Sequence, residues 1–220
     1  MPQYRRSRMP WRGCDNLGVT PPGLCTHRRR RAICALLLGG GLGLSARASV
    51  SVEGVALAPR LSLFGVDLVL NGTGIRSVAW IKGYLAALYV AQRSAQPQVL
   101  IHQGGPKRLR LHLLMDVPAT EFSKALEKGV LRNTPQLEQP GLMARLQRLE
   151  QLISALGTVR KGDVVDLDFD PGRGLGLSLN GTLRGEFLAG ADLYAAVLRS
   201  FLGELPYDKA LRAGLLGSAT

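Results

Sequence analysis

The chain has 220 residues, 46% of them hydrophobic, which is enough for one domain with a substantial core. Its formal charge of +12 and pI near 10.4 invite a nucleic-acid reading. The distribution of charge argues against one: residues 1–48 hold nine Lys or Arg and one acid, while the rest of the chain holds 19 basic and 15 acidic side chains, with no basic run interleaved with aromatics.

His27-Arg28-Arg29-Arg30-Arg31 supplies a positive segment, Ala32 to Leu44 an apolar run of about 13 residues, and Ala46-Arg47-Ala48 a small-x-small pattern. These are the three parts of a secretory signal peptide over residues 27–48, with cleavage expected after Ala48. The run falls short of the ~20 apolar residues that a membrane-crossing helix needs, although an uncleaved N-terminal anchor is the alternative. Residues 1–26 mix Arg, Pro, Gly, Trp and Cys without periodicity, as a disordered leader extension would. Cys14, Cys25 and Cys34 all lie before residue 48 and none after it, so the domain leaves no thiol to mispair in an oxidising compartment. A periplasmic or secreted location follows as the expectation, with no stable membrane span after cleavage. Thiolate nucleophiles and Cys-based metal sites are removed from consideration.

No repeat or low-complexity linker interrupts residues 49–220, which read as one domain. Val50 to Leu70 is rich in strands, and Asn71-Gly72 predicts a type I′ hairpin turn, since both residue types tolerate positive φ. Ile75 to Val90 is a long apolar segment carrying Arg76, Lys82, Tyr84 and Tyr89. Around Pro97 one or two helical turns are expected. From Lys107 to Met115 the pattern alternates, with Leu109, Leu111 and Leu113 on one side and Arg108, Arg110 and His112 on the other, giving a half-buried strand. Thr120 followed by Glu121 resembles a helix N-cap. Phe122, Ala125, Leu126 and Val130 continue that helix, and Leu142, Leu146, Leu149 and Ile153 mark the apolar stripe of a second. Val165, Leu167 and Phe169 alternate with Asp166, Asp168 and Asp170 in a further strand. Asn180-Gly181 predicts another hairpin, and Asp192 to Leu202 and Pro206 to Leu216 are helical. Strands, a helical pair, a hairpin and then helices make an α+β class: an antiparallel β-sheet covered on one face by a layer of α-helices.

Several segments carry a resemblance. Leu70-Asn-Gly-Thr-Gly-Ile-Arg76 with Lys82-Gly-Tyr84-Leu-Ala-Ala-Leu-Tyr89-Val, Gly105 to Asp116, Lys161 to Phe169, Leu175 to Gly181, and the two terminal helices resemble, in this order, the chalcone isomerase-like family. The likeness is nearest its bacterial secreted branch. It implies the chalcone isomerase-like fold, with a cleft between sheet and helices. Plant members of that family close a flavanone ring by attack of a phenolate on an enone, using an arginine and a Thr/Tyr/Asn set that stabilises enolate charge. Relatives that lack the set bind fatty acids in the same cleft.

Carried over by position, Arg76 falls at the family arginine and Tyr84 at the catalytic threonine. Phe122 falls at the tyrosine and Gly129 at the asparagine. Phe has no hydroxyl and Gly no side chain, and losing one such donor typically costs ~3–4 kcal/mol of transition-state stabilisation. Arg76, Tyr84 and Phe122 are therefore candidate ligand-binding residues, and no catalytic residue is assigned. Arg76 and Tyr84 share a site only if the chain bends around Ser77 to Trp80, since eight extended residues span about 26 Å.

The remaining polar residues read as structural. Asp166, Asp168 and Asp170 stand about 7 Å apart on one strand face with no loop to wrap a cation, and are expected to be solvated. His102 and His112 read as surface residues and Lys82 as a solvated strand lysine. Gly172-x-Gly174-x-Gly176 precedes a strand and not a helix, so it is no dinucleotide fingerprint. No metal site and no cofactor are expected. The resulting expectation is a binder of a fatty acid or similar small apolar or amphiphilic anion. The alternative is an isomerase or intramolecular lyase acting on another substrate.

Overall fold

A computed structural model describes residues 49–78 and 81–217. Residues 1–48, where the sequence leads one to expect a leader extension and a signal peptide, and Trp80 lie outside these residues. The chain opens on a small hairpin of β1 (Val50–Val52) and β2 (Val55–Leu57). Then β3 (Arg60–Leu63), β4 (Val66–Val78) and β5 (Ile81–Val90) run as a meander. Helix α1 (Pro97–His102) leads into β6 (Lys107–Leu113). The two-residue strand β7 (Val117–Pro118) precedes the helical pair α2 (Ala119–Asn133) and α3 (Gln139–Ser154), and β8 (Thr158–Val159) closes that excursion. Next come β9 (Val164–Asp170), β10 (Gly174–Leu179) and β11 (Thr182–Leu183), followed by α4 (Ala191–Leu202) and α5 (Lys209–Leu215).

The main sheet has seven strands in the order β11-β10-β9-β6-β5-β4-β3, every pair antiparallel. Alternation decides its faces. Leu109, Leu111 and Leu113 of β6, with Val165, Leu167 and Phe169 of β9, turn toward the helices and join the apolar stripes of α2, α3 and α4 in the larger core. Leu85, Ala87 and Tyr89 of β5 turn the other way and pack with Leu57, Leu63, Leu68 and Leu70. The α+β architecture expected from the element order is the one found.

Three details depart from the sequence reading. The first is Asn71-Gly72, which makes no turn and lies inside β4, at an irregularity of register between Leu70 and Gly72. The Asn71 amide donates to the Leu215 carbonyl at 2.8 Å and accepts from the Ser94 N–H at 2.8 Å. Gly72 lets helix α5 lie against the strand: a Cβ there would sit 2.7 Å from the Leu215 carbonyl oxygen, and one on Gly74 would sit 2.9 Å from the Leu211 Cα. The dipeptide is used for close backbone approach and not for positive φ. Asn180-Gly181, by contrast, does turn between β10 and β11, with φ of 51° and 78°.

The second departure concerns the aspartates. Asp166 and Asp168 are buried, with side chains 2% and 7% exposed. Each lies opposite an arginine across the β6–β9 pair and receives a two-pronged contact: Arg110 to Asp166 at 2.7 and 2.8 Å, Arg108 to Asp168 at 2.6 and 2.6 Å. The alternation was right, but it could not show that this face is covered. The sheet curls until Phe64, at the β3–β4 turn, meets Phe187 beyond the far edge at 6.0 Å, with Arg173 over both rings. Asp170, at the strand end, is the most exposed of the three, though its side chain is still only 15% exposed; it closes a turn and pairs with Arg173. His112 shares the covered face and is half-buried. Burial lowers its pKa, and its Nε2 finds no partner among the described residues. Breaking one of these buried pairs by removing a single partner costs ~3–5 kcal/mol, because a charge is left uncompensated.

Third, Thr120 does not cap α2. The helix begins at Ala119, whose N–H donates to the Gly157 carbonyl at 2.7 Å. Pairing of β7 with β8 brings that carbonyl into place, so the first turn has a backbone partner and needs no side-chain cap.

Lys107, the first residue of β6, is buried on the helix side, 3% exposed. Its ammonium lies 5.0 Å from the Phe169 ring centroid and 5.8 Å from that of Tyr194, and donates to the Ile101 carbonyl at 3.3 Å. Burial pushes its pKa down to about 8. Between that value and the usual 10.5 the unfolded chain binds the proton that the folded chain has lost, so stability rises with pH across this window. Wild-type protein is expected to gain on the order of 2–3 kcal/mol in urea unfolding from pH 8 to pH 10 relative to Lys107→Met. A pH-independent difference between the two proteins would contradict this placement of the amine.

Candidate functional site

Between the sheet and the helices lies a cavity of about 340 Å³, at the lower end of the ~300–1,000 Å³ usual for small-molecule sites. Its floor is Leu111 and Leu113 of β6 with Val165 of β9. Phe122, Ala125 and Leu126 of α2 form one wall, Ile153 of α3 and Phe201 of α4 the others, and Leu211 of α5 closes one end. Ile81 and Met115, which line the cavity, are 48% and 37% exposed and mark where it opens to solvent.

The polar lining gathers beside α5. Arg76 and Tyr84 are directly opposed across the β4–β5 hairpin, with a register irregularity immediately beyond Arg76. The hairpin meets the geometric condition that the sequence imposed, since it folds eight residues of chain back on themselves. Phe122 stands edge-on to Tyr84, ring centroids 6.2 Å apart. All three residues singled out from the sequence line the same cavity.

Two further residues complete the cluster. Asp208 caps α5, its Oδ1 accepting from the Leu211 N–H at 3.0 Å. Its Oδ2 accepts from Arg76 Nη1 at 3.3 Å and from the Ser77 N–H at 3.4 Å. Burial works to raise the Asp208 pKa, but the Leu211 and Ser77 N–H groups and the Arg76 guanidinium outweigh it and hold the carboxyl below its usual range. Tyr207 lies between cations, with Arg76 5.9 Å and Arg132 5.0 Å from its ring centroid. Its hydroxyl is buried and has no hydrogen-bond partner among the described residues. Burial raises the Tyr84 pKa well above the ordinary tyrosine value, against the opposing charge of Arg76. At neutral pH the Tyr84 phenol therefore keeps its proton and can donate.

Sequence reasoning merged Tyr207 and Asp208 into one helix running from Pro206. The stronger pattern was Asp208 three residues before the buried Leu211, with Pro206 just upstream, which is an N-cap and places both residues outside the helix.

Gly129, where the resemblance expects an asparagine, faces α4. A Cβ at that position would lie 2.8 Å from the Ser200 Cβ and 3.3 Å from the Tyr207 ring. The missing side chain is therefore replaced by close packing of two helices and the edge of Tyr207. Among the described residues no group of three His, Cys, Asp or Glu is placed to hold a metal ion, and no helix is long and apolar enough to cross a membrane.

A family model described as chalcone isomerase-like matches residues 49–217. No curated protein matches the sequence. Among solved structures, the chain is similar to the crystal structure of a fatty-acid binding protein from Arabidopsis thaliana, with a TM-score of 0.60 and 18% identity over 78% of this chain and 97% of that one. At that identity the likeness speaks for the fold.

Restoring the asparagine should not restore a polar site. Gly129→Asn is expected to force α2 and α4 apart and lower stability by ~1–3 kcal/mol, measured by thermal or urea unfolding. A variant at least as stable as wild type would show that the interface has room.

Proposed function

We propose that this chain, a member of the chalcone isomerase-like family, is an exported, non-catalytic binder of a fatty acid or similar small amphiphile. The observation that carries the reading is the cavity itself. Its walls are aliphatic and aromatic, while Arg76, Tyr84 and Tyr207 present donors at one end. An apolar tail would leave water for the walls, contributing about 0.8 kcal/mol per buried methylene. The polar head would meet the guanidinium and the phenols.

Enolate chemistry fits these residues less well. Phe122 offers no hydroxyl, and the space beside Gly129 is filled by Ser200 and Tyr207. One observation does favour the alternative of an isomerase or intramolecular lyase: the unpartnered Tyr207 hydroxyl adds a donor beside Arg76 that the sequence comparison does not anticipate.

Displacement of a fluorescent lipid probe by saturated fatty acids of increasing length tests the binder. Affinity is expected to rise up to about fourfold per methylene, from the ~0.8 kcal/mol each contributes, and then to level off once the cavity is full. Binding independent of chain length would contradict the reading. Turnover of a chalcone that disappears in Tyr84→Phe would favour the isomerase.

Export to a periplasmic or extracellular compartment, as in a secreted bacterial branch of the family, is part of the same proposal. The basic segment, the short apolar run and Ala46-Arg47-Ala48 support it, as does a family match that starts at residue 49. N-terminal sequencing of the protein recovered from a bacterial periplasm should begin at Ser49. An intact N terminus on a membrane-bound product would point to an anchor.

A further inference from the structure

The cation at the polar end of the cavity is already engaged. Arg76 faces Asp208, which also lines the cavity and is fixed twice over, by the Leu211 N–H at 3.0 Å and the Ser77 N–H at 3.4 Å. These backbone contacts hold the carboxylate beside Arg76. A bound carboxylate would have to approach Arg76 beside this fixed negative charge. Asp208 is 13% exposed at its side chain, so water screens the repulsion only partly. Arg132 stacks on Tyr207 without lining the cavity, and its charge faces the ring. The other ionisable lining groups are also acids, Asp116 and Glu121. Asp116 accepts from the Lys161 N–H and Glu121 pairs with Lys124. None of the lining groups supplies a second positive charge.

We propose that Asp208 is a specificity residue that sets the cavity for an uncharged amphiphile, one whose head is a hydroxyl, ester or other neutral hydrogen-bonding group, in preference to a free fatty-acid anion. The inference rests on the amphiphile-binding reading and refines the class of head group. A neutral carbonyl or hydroxyl oxygen can accept from Tyr84 or Tyr207 without meeting the Asp208 charge, and the Arg76–Asp208 pair stays intact. An anion gains from Arg76 only what Asp208 does not already take.

Three probes that share a twelve-carbon chain distinguish the cases: dodecan-1-ol, methyl dodecanoate and dodecanoate, each displacing a fluorescent lipid probe from the full chain at pH 8. Wild type is expected to bind the alcohol and the ester roughly tenfold or more tighter than the anion, the scale of one partly screened like charge in a partly buried site. In Asp208→Asn the amide oxygen can still cap α5, so the fold should persist, checked by thermal unfolding. The anion should then gain roughly tenfold while the alcohol changes little. Adding Arg76→Gln to that variant should abolish the gain. If Asp208→Asn unfolds, Asp208→Ser, which also caps, takes its place. Equal affinity for anion and ester in wild type, or an anion affinity indifferent to Asp208→Asn, overturns the proposal. Failure of all three probes to bind would overturn the amphiphile reading itself, and this inference with it.

Discussion

The site depends on how closely α5 lies against β4. Gly72 and Gly74 on the strand meet Gly214, Leu215 and Leu211 on the helix, backbone to backbone, with no room for a Cβ between them. Asn71 ties the same junction by donating to the Leu215 carbonyl. That contact fixes where α5 begins, and so where Asp208 and Tyr207 stand. It brings a helix cap within ion-pair distance of Arg76, 132 residues away in the chain. A side chain in place of either strand glycine would push the helix outward, and the polar end of the cavity would come apart before the apolar walls did.

The rest of the fold supports this end. A meander of β3, β4 and β5 runs into β6, and β9 then pairs with β6, so the helical excursion between them is held over one face. The buried Arg108–Asp168 and Arg110–Asp166 pairs join β6 to β9 from behind, and the leucines of the same strands supply the cavity floor. Buried ion pairs add little net stability over apolar packing, but they discriminate strongly against a shifted register. Here that matters, because a slip of one residue would turn Leu111 and Val165 away from the cavity.

Much of this architecture was legible in the sequence because it rests on periodicity. The alternation in β6 and β9 and the apolar stripes of α2, α3 and α4 each follow from local spacing. What local spacing cannot show is what covers a face. Asp166 and His112 looked solvated because their neighbours in sequence do not reveal that the sheet curls over them. Asn71-Gly72 has the composition of a turn, yet its role is set by a helix that arrives more than a hundred residues later. Arg76, Tyr84 and Phe122 were singled out through resemblance, and they line one cavity together. Tyr207 and Asp208 were missed because a helix start was placed at Pro206, two residues before the cap.

The most direct test is to locate the tail and the head of a bound amphiphile. A crystal of the protein soaked with a twelve-carbon alcohol brominated at its far end, measured at the bromine absorption edge, should show the bromine peak among Leu126, Ile153 and Phe201. The hydroxyl should lie within hydrogen-bonding reach of Tyr84 or Tyr207. A bromine peak on the outer surface, or the reverse orientation with bromine against Arg76, would contradict the account.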